Sequence, residues 1–220
     1  MNKQLVSDVW SRNRCRPTRD LGKRWIQRMI AYSRFWIKYP EPDYAWGYRE
    51  RTAVRFLAAA AWSIAGGIAL EEYRDEKEHS GSGRVDLYTA FSQTGKGSKC
   101  DRCLWEAKHR YLRFKKKDDK EHPLEIVEAA LGSAGKSAKQ LKPGKGEKVT
   151  RVAFLTLRTS KRLKEKSIGE LKSLFQTLKR RKDVFLIAYL ADKSLAEKIK
   201  DFGILMISEQ RSGPMRGAKK

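Results

Sequence analysis

Two short stretches that alternate between apolar and polar residues constrain this chain more than anything else in it. In Arg84-Val85-Asp86-Leu87-Tyr88-Thr89-Ala90-Phe91, counting in twos puts Val85, Leu87, Thr89 and Phe91 on one face of a strand. Arg84, Asp86, Tyr88 and Ala90 fall on the other. In Leu104-Trp105-Glu106-Ala107-Lys108-His109, the residues Leu104, Glu106 and Lys108 share a face. A polar segment with Gly95 and Gly97 lies between them and reads as a long hairpin connection. If the strands pair, Asp86, Glu106 and Lys108 project towards a common point. Two carboxylates that close suit a hard divalent cation such as Mg²⁺. A lysine beside them steadies charge on a phosphate or polarises a water. The plainer alternative is two exposed faces carrying solvated charges.

The surrounding chain supplies the elements such strands need. A helix is expected from Asp20 to about residue 38, ending before Pro40, with Trp25, Met29, Tyr32 and Trp36 at helical spacing and Ile26, Ile30 and Ile37 beside them. Lys23, Arg24, Arg28, Arg34 and Lys38 decorate its remainder: the plainer reading is a helix packed on the core by its aromatics with a solvated basic face, the sharper one a DNA-contacting or dimer-forming helix. After the turn Pro40-Glu41-Pro42-Asp43, a second helix is expected from 44 to about 70, with the stripe Val54, Leu57, Ala61, Ile64 and Ile68. Extended backwards, that stripe meets Glu50. A carboxylate on an apolar line is costly unless it is paired or binds a metal; the milder reading is a glutamate favoured by the helix N-terminus. Glu71 and Glu72 are the fallback. A strand follows at about 69–75, then the two alternating strands, then a basic stretch from Arg110 to Lys120. A helix from Pro123 buries Leu124, Val127, Leu131, Ala134, Ala138 and Leu141. Beyond it come a buried strand at 149–157, a helix at 168–178, a strand at 184–190, a helix at 194–202 and a short strand at 204–208.

The Asp86…Glu106-Ala107-Lys108 pattern resembles the PD-(D/E)XK nuclease superfamily. Val85 stands where the name-giving proline would be, and Asp86 and Glu106 are 20 residues apart. The element order from residue 44 matches that family's αβββαβ core over roughly 44–160. The resemblance implies an α/β, restriction-endonuclease-like fold, with a central mixed sheet flanked by helices. It divides the chain into a basic N-terminal arm and helix (1–43), a nuclease-like domain (44–210, with a C-terminal αβ extension) and a basic tail (211–220). It further implies that Asp86, Glu106 and the Ala107 backbone carbonyl hold Mg²⁺, or Mn²⁺ as a substitute. Glu50 would complete the shell, as a glutamate on the preceding helix often does in this family. Lys108 would orient or deprotonate the attacking water. Gln140, Lys136 or Lys139 would approach the scissile phosphate. Many members act as dimers, and a homodimer is compatible with the chain.

Charge fits the same reading without proving it. The formal net charge is +23 and the pI about 10.1, an excess that seeks a polyanion. Nucleic acid, most simply DNA, is the expected partner, and an anionic membrane the competitor. The apolar run from Phe56 to Leu70 is short of the roughly 20 residues a spanning helix needs, so no membrane span is expected. Three cysteines, Cys15, Cys100 and Cys103, are an odd set that points to a reducing, cytoplasmic setting. A zinc site built on Cys100 and Cys103 would have only His79, His109 and His122 to complete it. The alternative to an endonuclease is a non-catalytic nucleic-acid-binding protein on the same fold; a basic protein peripheral to membrane or ribosome is the third reading.

Overall fold

The computed structural model describes residues 5–11, 16–36, 39, 50–73, 85–92, 100–112, 123–140, 149–160, 165–182, 184–192 and 201–211. Their elements are β1 (Leu5–Ser11), α1 (Arg16–Trp36), α2 (Glu50–Trp62), β2 (Gly67–Tyr73), β3 (Val85–Ser92), β4 (Cys100–Leu112), α3 (Pro123–Gln140), β5 (Thr150–Ser160), α4 (Glu165–Arg180), β6 (Val184–Asp192) and β7 (Asp201–Arg211). The strands form one sheet in the order β1-β6-β7-β5-β4-β3-β2. Only β4 and β5 run parallel; every other pair is antiparallel. The protein is therefore a mixed α/β structure.

Two helical layers cover the sheet because its central strands are apolar on both faces. Residues 152–157 of β5 are all buried. Val152 and Phe154 join the cluster beneath α1 and α2, which also holds Leu87, Phe91, Trp105, Ala107, Leu186 and Ala188. Leu155 and Leu157 face the opposite way, into a cluster with Val127 and Leu131 of α3 and Leu174, Phe175 and Leu178 of α4. Strict alternation along one strand thus feeds two cores.

α1 grips the sheet through Leu21, Trp25 and Met29, spaced four apart and fully buried. It also carries Gly22 close to the sheet: a Cβ there would lie 2.8 Å from Val9 Cγ1 and 2.9 Å from Leu186 Cδ1. The helix begins at Arg16 rather than at Asp20, which sits inside it. Pro17 in the first turn opposes nothing, since an N–H there has no intrahelical acceptor. Upstream, where the sequence suggests only a polar arm, β1 pairs with β6 at the sheet edge.

The second helix is also shorter than its apolar run. α2 ends at Trp62, and Ser63 Oγ donates to the Ala60 carbonyl at 2.7 Å. Gly66 then takes φ 72°, and a Cβ on it would strike the Ser92 side chain. A Cβ on Gly67 would strike the Ala61 carbonyl. These two glycines turn the chain straight into β2. Ile64 therefore lies in the turn, and Ile68 on the outer face of β2, where it is exposed. Neither continues the stripe of the helix.

At the C-terminus, residues 201–202 belong to β7, which runs to Arg211, so the helix expected to reach 202 does not include them; 193–200 lie outside the described residues. The turn at 40–43, most of the basic stretch (113–120), His79 and His122 also lie outside. Among the described residues no helix is long and apolar enough to cross a membrane.

Candidate active site

β3 and β4 form an antiparallel ladder from Ser92 opposite Cys100 to Leu87 opposite Trp105, and there the ladder stops. In the same register Asp86 would face Glu106, and Val85 would face Ala107. Instead, the Ala107 backbone N–H donates to Asp86 Oδ2 at 2.7 Å. β3 meanwhile stays with β2, where Val85 pairs with Tyr73. Across from Asp86, Glu72 of β2 has φ 53°, a left-handed conformation that costs a non-glycine residue about 1–3 kcal/mol. The pleat is disturbed here, and Val85 does not share the cluster of Leu87 and Phe91 as counting in twos implies. It packs with Leu104, beside Tyr88 and Val149.

Beyond Trp105, β4 therefore has a backbone edge that β3 does not cover, and carboxylates close it. N–H groups two residues apart leave a strand on the same side. The one after Ala107 belongs to His109, and the Glu50 carboxylate accepts it. The Ala107 carbonyl leaves β4 on the same side as its N–H, towards Asp86. The Lys108 carbonyl faces β5, 3.4 Å from the Thr156 hydroxyl, which also lies 3.0 Å from His109 Nδ1. Glu50 reaches the edge because it opens α2 on the same line as Val54, Leu57 and Ala61, all buried. Glu106 and Lys108 stand two apart on β4, and Lys108 Nζ donates to Glu106 Oε1 at 2.9 Å; the side chains are only 24 % and 13 % exposed, lysine first.

The electrostatics follow from partial burial of like charges. The Glu50 carboxyl is pushed above its ordinary value by burial, and Asp86 and Glu106 push the same way; Lys108 and the His109 N–H only partly oppose this. Glu106 is raised by burial too, against the hydrogen bond from Lys108, with Asp86 adding to the rise. For Lys108, burial favours the neutral amine. The bond to Glu106 and the charges of Glu106, Glu50 and Asp86 outweigh it, so the ammonium is held more firmly than usual. Three carboxyl groups and one ammonium within mutual reach sum to a formal charge of two negatives in a chain whose formal net charge is +23.

That donor set fits a divalent cation in kind: hard oxygens, a surplus of two negative charges and a backbone carbonyl on the same edge. Among the described residues, no three His, Cys, Asp or Glu side chains already surround a point at metal distance. Glu106 is instead engaged by Lys108, so loading a cation requires that ion pair to loosen.

All four side chains singled out in the sequence, Glu50, Asp86, Glu106 and Lys108, thus lie within interaction range of one another. The fallback pair does not join them: Glu71 and Glu72 form surface ion pairs with Arg55 (3.5 Å) and Arg51 (3.6 Å). Lys136 and Gln140 are exposed on α3, and the Lys139 side chain lies outside the described residues. Cys103, which is in no disulfide, lies at the paired end of β4. Two participants were missed, the His109 backbone N–H and Thr156. Thr156 had a signal, being a hydroxyl within the apolar run of β5, buried to 1 % exposure. No family model matches the chain, and no curated protein and no solved structure matches it.

Proposed function

We propose that this protein is a metal-dependent nuclease that hydrolyses DNA phosphodiester bonds, on a restriction-endonuclease-like fold. The observation that carries the reading is the parting of β3 from β4 at Asp86, with a surplus of two negative charges gathered on the freed edge. An anionic spot in so basic a chain opposes phosphate unless a cation intervenes. Asp86, Glu106, the Ala107 carbonyl and Glu50 would hold Mg²⁺. When bound, such an ion activates water and neutralises charge on the phosphate. Lys108, paired to Glu106 beside the other carboxylates, would orient or deprotonate the attacking water and steady charge on a phosphate oxygen. Asp86 and Glu50, each fixed by a backbone N–H, orient their oxygens without the chain having to reorganise. The α-β-β-β-α-β order of α2 to β5, with β4 and β5 parallel in an otherwise antiparallel sheet, supports the fold assignment. A cytoplasmic setting belongs to the same reading.

The test is cleavage of a panel of duplex, single-stranded and branched DNA, and of RNA, in Mg²⁺ and in Mn²⁺, by wild type and Glu106→Ala. Mg²⁺ should also raise the unfolding temperature of wild type by mass action, and this rise should disappear in Glu106→Ala. A protein that binds DNA, cuts none of the panel and gains no stability from either ion overturns the reading. The second reading, nucleic-acid binding without cleavage, is favoured by the Lys108–Glu106 pair, which fills the position a metal would need.

A further inference from the structure

We infer that the outward face of α1 is a second contact surface for nucleic acid, holding the phosphate backbone along its length and a base at its C-terminal end. Lys23, Arg24, Gln27, Arg28, Ala31, Arg34 and Phe35 are all exposed. At 100° per residue they occupy a single arc of about 140°. The opposite side of the helix is committed to the core through Leu21, Trp25 and Met29. Four cations therefore stand on one face, with Arg19 close by and Asp20 as the sole acid on the arc. Among the described residues no ion pair joins any of these four cations to a carboxylate. A cationic face usually has acids interleaved at three- and four-residue spacing. Past Asp20, this one has none.

The dimensions suit a nucleic-acid strand. From Lys23 to Arg34 the helix rises about 17 Å, the axial length over which one strand of a duplex presents about five phosphates. Phe35 follows Arg34 on the same arc, is 57 % exposed and meets the ring of Tyr39 at 5.8 Å. A flat apolar ring next to cations is what stacking on an unpaired base uses. A membrane surface is the other polyanion, but an interfacial helix must bury an apolar face in lipid, and here that face is inside the protein. Of the phosphodiester reading, the inference borrows only the class of polymer. Substrate held along α1 would approach the site through α2, whose Phe56 meets Tyr32 of α1 edge-on at 5.6 Å and whose first residue is Glu50.

The experiment measures binding of fluorescein-labelled DNA of about 20 nucleotides, single-stranded and duplex, in EDTA and on the Glu106→Ala chain, so that no cleavage is involved. Affinity is followed between about 50 and 200 mM salt. Replacing Lys23, Arg24, Arg28 and Arg34 together by glutamine should lower the slope of log affinity on log salt by about 3 to 4 for duplex. Phe35→Ala should weaken single-strand binding about 5- to 150-fold while leaving the slope unchanged. Circular dichroism melts check that both variants fold, and two half-sets, Lys23/Arg24 and Arg28/Arg34, should each give about half the slope change. An unchanged slope in the folded quadruple variant overturns the proposal. So does α1-dependent binding to phosphatidylserine-containing vesicles in place of DNA. DNA binding with the expected slopes in a protein that never cuts would sustain this surface and refute the nuclease reading; cleavage with an unchanged slope would do the reverse.

Discussion

The two halves of β4 are built by different rules. From Cys100 to Trp105 the strand is paired on both sides, to β3 along this whole length and to β5 from Cys103 on. There the buried Trp105 Nε1 donates to Thr89 Oγ1 at 2.8 Å. From Glu106 onward the strand is paired only to β5, and its free edge is satisfied by side chains from β3 and α2. Both halves obey the requirement that buried donors find acceptors. The difference is that in the second half the acceptors are crowded carboxyl groups rather than backbone carbonyls. Substituting carboxylates for backbone acceptors brings two of them, Asp86 and Glu50, beside Glu106.

Substitutions on either side of Trp105 should separate the two rules. The largest effect is on activity: Glu106→Ala and Lys108→Ala should each lower the rate of DNA cleavage in Mg²⁺ by at least about 10²–10³-fold with the fold intact, as read on plasmid. Residual cleavage near wild type in either would remove that side chain from the site. Next, Asp86→Ala leaves the Ala107 N–H without its acceptor and should cost about 1–3 kcal/mol, a fall of roughly 2–12 °C in a chain of this size. Asp86→Asn keeps an acceptor oxygen, so it should restore most of the stability and none of the activity. The matching change in the paired half, Thr89→Val, strands the Trp105 N–H and should cost a similar amount while cleavage by the folded protein is unchanged. If Thr89→Val proved as damaging to activity as Asp86→Asn, the two halves would not be distinct.

The smallest effect has the opposite sign. Because the Glu50 carboxyl is raised in the folded chain, the native state holds that proton more tightly than the unfolded chain does. Its contribution therefore favours folding below about pH 4.5, the ordinary value, and is lost as pH rises through the raised one. At neutral pH the ionised Glu50 is a net cost. Glu50→Gln, which still accepts the His109 N–H, should raise the melting temperature at neutral pH by about 2–4 °C if the relief is worth about 1 kcal/mol. The gain should fade in melts below about pH 4.5. A variant less stable than wild type at neutral pH would show that Glu50 is paired more favourably than its surroundings indicate.

How much of this was legible in the sequence depends on how local the cause is. Asp86, Glu106 and Lys108 announced themselves because strand periodicity is a property of the residues alone. Glu50 was found by a line that is valid as far as Ala61 and false at Ile68: alanines and glycines satisfy helix and strand equally, and only the close approaches at Gly66 and Gly67 fix where one becomes the other. β1 was hidden because its pairing is with β6, about 180 residues away, and its neighbours are arginine-rich. The displacement of Val85 was also out of reach. Counting in twos assumes an undisturbed pleat, and the disturbance falls where Glu72 turns left-handed and Asp86 takes the Ala107 N–H.

The same twist at Glu72 bears on how the molecule behaves in a crowd. Among the described residues β2 is the last strand in the sheet order, with Ile68 and Leu70 exposed along it. An open, apolar strand edge is a template on which another chain can add, the first step towards aggregation. The left-handed φ at Glu72 ends the regular run after residue 71, and Glu71 and Glu72, with Arg55 and Arg51, place charged side chains at that end. What is left for a stranger to pair with is residues 67–71, of which Gly67 is pinned against the end of α2. The backbone irregularity that lies across from Asp86 thus also blunts the strand that carries it.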